Sequence, residues 1–364
     1  MAVLHVLCLS AVVAASPERV VLIVDPGIDD AGALLFALGA SRSIKVEAIV
    51  TNFGGHYDVR QTTHNTHMLL KEARRTDVPV YIGSRWPYGS ASPPQHDGQI
   101  VHGKNGLAGL TPSFESPTFD NDPSCKDGTN TTTVSGAEFI ASIARTLPGQ
   151  ITVVCFSPLT NIALALALEP RLPMLLKALL AMGATFNTPG NVSPLAEANF
   201  AHDAAAAAAV CSAFGAATSQ NAAPVAVAPF VLAPLDVTHR AIVTLDNVTK
   251  TMAQQGGAAI DLFVRAWPTY IDAYCRLGKV CDGAPLHDAH PIAYMLQPDL
   301  YVVEQLTFHV LVGVTGSEDS HGMVVVDRRP GQTPARGSCT TQVLMDVKDS
   351  HAFVHLVTSN VPAI

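Results

Sequence analysis

Arg19-Val20-Val21-Leu22-Ile23-Val24-Asp25-Pro26-Gly27-Ile28-Asp29-Asp30 joins an apolar run to a turn and three carboxylates. The run up to Val24 is short and rich in β-branched residues, as in a strand of a parallel sheet covered on both faces. Pro26-Gly27 turns the chain, and Asp29 and Asp30 open the helical pattern Ala31-Gly32-Ala33-Leu34-Leu35-Phe36-Ala37-Leu38. The helix macrodipole favours acids at a helix start, so either of these two alone reads as an N-cap. Asp25 is different, because it stands at the carboxyl end of a strand, where open α/β sheets put their ligands. Three acids in one crevice repel one another unless a hard cation or a bound polyol satisfies them, and the spacing therefore favours a ligand site over a capped turn.

Outward from this stretch, strand and helix signals alternate. Residues 46–50, 78–82, 151–155, 179–182 and 225–227 read as buried strands, each followed by a turn or a helix start. The pattern predicts one α/β domain with a mostly parallel, Rossmann-like central sheet flanked by helices. A helix after Ser157 is expected to carry Pro158 at its first position and to pack through Leu159, Ile162, Ala163, Leu164 and Leu166. Asp203 and the alanine run 204–209 predict a packed helix without chemistry. Short alternating segments over 307–357 predict a peripheral group of strands. With 364 residues, 48% of them hydrophobic and only 14% charged, the chain has material for one large core, and no linker divides it. A formal charge of -8 without a Lys/Arg cluster excludes a nucleic-acid polymer as partner.

Residues 1–15 hold an apolar run from Val3 to Ala15, with Val13 and Ala15 placed like the small residues before a signal cleavage site. The reading is a signal peptide followed by a mature domain at 16–364, hence a secreted or secretory-pathway protein with no membrane span after signal removal. No Lys or Arg precedes the run, so a short element packed on the core of a cytoplasmic protein is the alternative. Asn130-Thr131-Thr132 and Asn247-Val248-Thr249 are acceptor sequons. Removing residues 1–15 takes Cys8 and leaves six cysteines. Cys275 and Cys281 are near enough in sequence to pair, whereas Cys155 and Cys211 sit in apolar patterns that suit buried free thiols.

Asp25-Pro26-Gly27-Ile28-Asp29-Asp30 resembles the Asp-x-Asp-Pro-Gly-x-Asp-Asp signature of the inosine-uridine preferring nucleoside hydrolases. The likeness continues in order through His102-Gly103-Lys104-Asn105-Gly106-Leu107, Ser157-Pro158-Leu159-Thr160-Asn161, Met182-Gly183-Ala184 with Gly190-Asn191, and Ala196-Glu197-Ala198-Asn199. Leu235-Asp236-Val237-Thr238-His239 and Pro285-Leu286-His287-Asp288 complete a set that spans about residues 19–358. Six ordered motifs are far more specific than any one of them.

The resemblance implies calcium-dependent hydrolysis of the N-glycosidic bond of ribonucleosides to ribose and free base. It implies a calcium ion held by Asp25, Asp30, Asp288 and the main-chain carbonyl of Phe156, a position where relatives usually have threonine. Asp25 becomes the general base toward water, and His287 the group that protonates or polarises the leaving base. Asp29, Met182, Asn191, Glu197, Asn199, Asp288 and the loop residue His102 become substrate contacts. Read singly, each of these has a dull alternative: Asn191 opens a sequon, and Glu197 and Asn199 fit a helix entry. Trp267, Tyr270 and Tyr274 are candidates for an aromatic wall at the base or for a helix core, and His290 reads as structural. Relatives of this kind are commonly homodimers or homotetramers. Two positions depart from the family pattern: Ile23 replaces its first Asp, and Gly55 replaces an asparagine that supports the ribose site, with Asn52 or His56 as substitutes. These departures motivate a rival reading, a nucleoside-binding protein with reduced or lost catalysis. A magnesium-dependent phosphohydrolase would want a second Asp motif and a phosphate-cradling lysine, and neither occurs.

Overall fold

The computed structural model describes residues 16–92, 98–110, 134–215, 227–313, 318–329 and 337–362. Its strands are β1 (Glu18–Val24), β2 (Ile44–Thr51), β3 (Val80–Tyr81), β4 (Ile151–Cys155), β5 (Ala178–Met182), β6 (Phe230–Ala233), β7 (Ile242–Thr244), β8 (Gly283–Pro285), β9 (Tyr301–Val310), β10 (Val324–Val326) and β11 (Cys339–Val347). Nine of them form one sheet in the order β10-β9-β11-β6-β5-β4-β1-β2-β3, while β7 and β8 pair by themselves. From β3 to β6 every pairing is parallel. The chain builds β2 and β3 on one side of β1, then returns to build β4, β5 and β6 on the other. That is the doubly wound order, and it opens a crevice beyond the carboxyl ends of β1 and β4, where the order reverses.

Period-two alternation in β1 sorts its side chains between two cores. Val20, Leu22 and Val24 join the larger core, and Val21 and Ile23 join the other. The larger core takes helices α1 (Ile28–Gly39), α2 (Val59–Glu72), α6 (Ala258–Arg276), α7 (Ala289–Leu296) and α8 (Ser350–Ser359). The other takes α3 (Gly136–Thr146), α4 (Thr160–Leu168) and α5 (Ala204–Phe214). In α6 the buried residues Ile260, Phe263, Trp267, Tyr270 and Tyr274 form one helical stripe. Its C-terminal half therefore carries two tyrosines under the crevice. No helix among the described residues is long and apolar enough to cross a membrane.

Two expectations need correction. The strand expected at 225–227 starts instead at Phe230: Val225 and Ala226 lie outside the described residues, and Val227 is not in a strand. Pro229 has no N–H to give a ladder, and its carbonyl accepts the first rung from Leu179 (2.9 Å). The helix after Ser157 starts at Thr160, not Pro158. The Pro158 carbonyl accepts a bond from Asn52 Nδ2 (2.7 Å), which holds this turn against the end of β2. The tail forms the peripheral group of strands expected: β11 runs parallel to β6 and extends the main sheet, with β9 and β10 antiparallel at its edge and α8 closing the chain. Asn130 and residues 1–15 lie outside the described residues.

Candidate active site

Asp25 is the first residue past β1, and its carboxylate accepts the Gly55 N–H at 2.8 Å. Gly54, at φ +144°, lies so close that a Cβ there would stand 1.8 Å from Asp25 Oδ2, and a Cβ on Gly55 would stand 2.3 Å from the Asp25 carbonyl. The backbone of 54–55 thus replaces side-chain support for Asp25, and an asparagine at 55 could not fit this conformation. Neither suggested substitute takes over: Asn52 clamps Pro158, and His56 accepts the Asp58 N–H (3.0 Å) and stacks on Tyr57. Ile23, in place of the family Asp, is fully buried opposite Val50 and Cys155, where an unpaired carboxylate would be costly.

Asp30 is the third residue of α1, and it caps the helix by accepting N–H bonds from Gly27 (3.2 Å) and Asp25 (3.0 Å). Asp29 accepts the Tyr270 hydroxyl (3.0 Å). Asp288 precedes α7. Oxygens of Asp29, Asp30 and Asp288 lie within 4.8 Å of one another, and Asp25 stands beside Asp30. These four residues are 3–6% exposed. Burial first, and the Asp30 charge second, raise the Asp25 carboxyl well above its usual range. Burial and the Asp29 charge push Asp30 up to about 7 and raise Asp288 strongly. An all-oxygen set of crowded, desolvated acids is the donor chemistry of a hard cation.

Next to Asp288 in the chain, His287 Nε2 meets the Tyr274 hydroxyl (2.5 Å), and Nδ1 meets Thr238 Oγ1 (2.6 Å). Burial, then the neighbouring His239, hold this imidazole well below its ordinary pKa, so it is neutral. His102 Nδ1 accepts the Ile28 N–H (3.1 Å), and its ring stacks on Tyr270. Because Nδ1 is an acceptor there, its 3.8 Å approach to Asp29 is no ion pair. Glu197 caps the short helix Ala198–His202, accepting N–H bonds from Asn199, Phe200 and Ala184, and burial lifts it to about 7. Asn199 Nδ2 donates to the Phe156 carbonyl (2.7 Å) and lies near Met182. Asn191 is exposed at the mouth and accepts the Ala198 N–H.

All eleven site residues expected from the sequence line one cavity of about 310 Å³ at the end of the sheet. Tyr270 and Tyr274 line it too. Trp267 does not: it is fully buried against Phe263 and Tyr270 in the core. His290 is also core, stacked on Phe353 (4.1 Å) and facing Tyr301. Sequence reading missed Thr238, although its motif was visible, and the mouth residues Ile100, Val192, Leu277 and Lys279. The only signal for the last two was their place between Cys275 and Cys281, which form a disulfide. Cys155 and Cys211 are buried free thiols, as expected.

The profile of the inosine-uridine preferring nucleoside hydrolases matches residues 20–355. The chain belongs to that family. It is 35% identical over 340 residues to the pyrimidine-specific ribonucleoside hydrolase RihA of Klebsiella pneumoniae, covering 92% of this chain and 94% of that protein. Probable uridine nucleosidase 2 of Arabidopsis thaliana is 31% identical over 284 residues, or 78% of this chain and 79% of its own. Among solved structures, a plant nucleoside hydrolase aligns over 96% of this chain and 100% of its own, with TM-score 0.79 at 24% identity. A purine-preferring ribonucleoside hydrolase from Gardnerella vaginalis aligns over 94% and 98%, with TM-score 0.78 at 23% identity. At such identity the two structures speak for the nucleoside hydrolase fold alone. The chain is a nucleoside hydrolase of single-domain α/β architecture.

Proposed function

We propose that this nucleoside hydrolase cleaves the N-glycosidic bond of ribonucleosides, pyrimidine ribonucleosides among them, with calcium as its cofactor. One observation carries the reading: four buried carboxylates line one cavity together with His287 and Tyr274, which meet through the His287 Nε2, while Thr238 meets the other ring nitrogen. A ribosyl group passing toward an oxocarbenium-like state needs an activated water at C1′, neutralising oxygens beside the ring, and help for the departing base.

Asp25, Asp30, Asp288 and the Phe156 carbonyl would hold the cation, whose Lewis acidity would acidify a water and orient sugar hydroxyls. The donor set fits a hard ion, since every group offered is oxygen. Asp25, oriented by the Gly55 N–H, is the general base that takes the proton of water as its oxygen bonds to C1′. Asp29, Asn191, Glu197, Asn199 and Asp288 hold ribose hydroxyls, with Met182 and His102 closing the floor and the lip. The buried members of this ring, Asp29, Glu197, Asn199 and Asp288, reject sugars lacking a hydroxyl, because they are then left unpaired. His287, being neutral, polarises the departing base. With Thr238 donating to Nδ1, its Nε2–H points to the Tyr274 oxygen and frees the Tyr274 proton for the base. Relatives named as a pyrimidine-specific ribonucleoside hydrolase and a probable uridine nucleosidase support the substrate class.

Residues 1–15 are, in this reading, a cleaved signal, and the assembly a homodimer or homotetramer on family resemblance alone. The deciding experiment measures free ribose from uridine, cytidine and inosine, with calcium content read by elemental analysis. Stoichiometric calcium and ribose release are expected. Tight nucleoside binding without ribose release would favour the binding-protein alternative.

A further inference from the structure

Three apolar side chains from separate segments stand exposed at the mouth of the cavity: Ile100 (76%), Leu277 (53%) and Val192 (36%). With them stands Lys279, the sole Lys or Arg among the described residues lining the cavity. Its Nζ lies 5.9 Å over the ring of Tyr274, the residue whose hydroxyl meets His287. No carboxylate among the described residues pairs with it. Its position is fixed locally, because the Lys279 N–H donates to the Tyr274 carbonyl (3.2 Å), Gly278 turns at φ +71°, and the Cys275–Cys281 disulfide closes the loop over six residues. A covalent clip on so short a loop removes most of the alternative placements of its backbone.

We propose that this stapled loop makes Lys279 the specificity-determining residue for pyrimidine bases, its ammonium facing the carbonyl oxygens of the departing base. The inference rests on reading the cavity as a ribonucleoside site. Cleavage breaks the C1′–N1 bond and leaves its electron pair on the base. Water supplies oxygen to C1′ and a proton to Asp25. In uracil that pair spreads from N1 onto the two carbonyl oxygens, and no basic ring nitrogen can take a proton beforehand. A fixed cation stabilises that anion as its charge develops, so its effect falls on kcat. A purine can leave after protonation at N7, and a nearby ammonium then offers little. The apolar side chains at the mouth give a planar base its contact area.

The test compares uridine with inosine for Lys279→Met, Lys279→Arg and the double variant Cys275→Ser/Cys281→Ser, each checked for folding by thermal melting. Lys279→Met is expected to lower kcat on uridine about tenfold, the scale of one charge-assisted hydrogen bond. The uridine-to-inosine ratio of kcat/KM should fall with it, and Lys279→Arg should restore most of the ratio. The loosened double variant should shift the ratio the same way by about threefold. Equal losses on both substrates, or an arginine variant no better than methionine, overturn the assignment while leaving the hydrolase reading intact. A wild type that releases no ribose from any nucleoside overturns both, and one active on inosine but not uridine overturns this inference and the pyrimidine part of that reading while leaving nucleoside hydrolysis in place.

Discussion

The two walls of the cavity are driven to neutrality by the same force and from opposite directions. On one wall, burial raises the carboxyls of Asp25, Asp30 and Asp288, so water removal works against their negative charge. On the other, burial lowers His287 strongly and brings His239 to about 4, with Lys279 adding to both. The difference is in what can restore charge. A cation would bring the acid wall back to its anionic form, while on the imidazole wall both ring nitrogens of His287 meet hydroxyls and Lys279 stands nearby. The acid wall therefore suits a cation with a polyol, and the other suits a neutral, hydrogen-bonding base.

The largest effect should come from breaking the acid wall. Asp30→Ala removes the carboxylate that caps α1 and stands between Asp25 and the Asp29–Asp288 pair. Calcium should be lost and ribose release should fall by about 10³ or more. Elemental analysis of the purified variant checks this: full stoichiometric calcium would remove Asp30 from the ligand set.

The acid wall was legible in the sequence because it is local. Asp25, Asp29 and Asp30 lie within six residues, and strand, turn and helix signals fix their positions relative to one another. Ordered motifs likewise announced His287, Glu197 and Asn199, and the alternation of strands and helices announced the sheet. The other wall was less legible. Tyr274 meets His287 only because α6 lies beneath the crevice, and the same stripe that delivers Tyr270 and Tyr274 buries Trp267 in the core. Periodicity cannot say where along a helix the core ends and a cavity begins. Gly55 was read as a loss, whereas its backbone N–H supports Asp25 directly. Main-chain donors carry no residue signature.

A second experiment breaks the comparison at the reacting bond. Asp25→Asn should depress turnover of every nucleoside by about 10², since water activation is common to all of them. His287→Ala should reduce inosine hydrolysis more than uridine hydrolysis, mostly in kcat, because a purine gains from proton delivery at N7 and a uracil does not. Lys279→Met and His287→Ala would then have opposite base preferences. Proportional losses for both bases in His287→Ala would move His287 to a packing role.

The smallest effect concerns Glu197, which the proposed mechanism assigns to the ribose and which lies outside the acid cluster. Burial pushes its carboxyl up to about 7, although three backbone N–H groups favour the anion. A carboxyl with a folded pKa above its unfolded value of about 4.3 binds its proton more tightly when folded. Its contribution to stability is therefore complete below the unfolded pKa and is lost as pH rises through about 7. Glu197→Gln cannot titrate and so lacks this slope, while its amide cannot accept all three N–H bonds. The variant should melt below wild type at pH 4.5, and the gap should narrow as pH approaches 7.5. Melting curves across that range decide the matter. A gap that stays constant would mean that Glu197 is held ionised by its backbone donors, and that neutrality by burial stops at the acid cluster and His287.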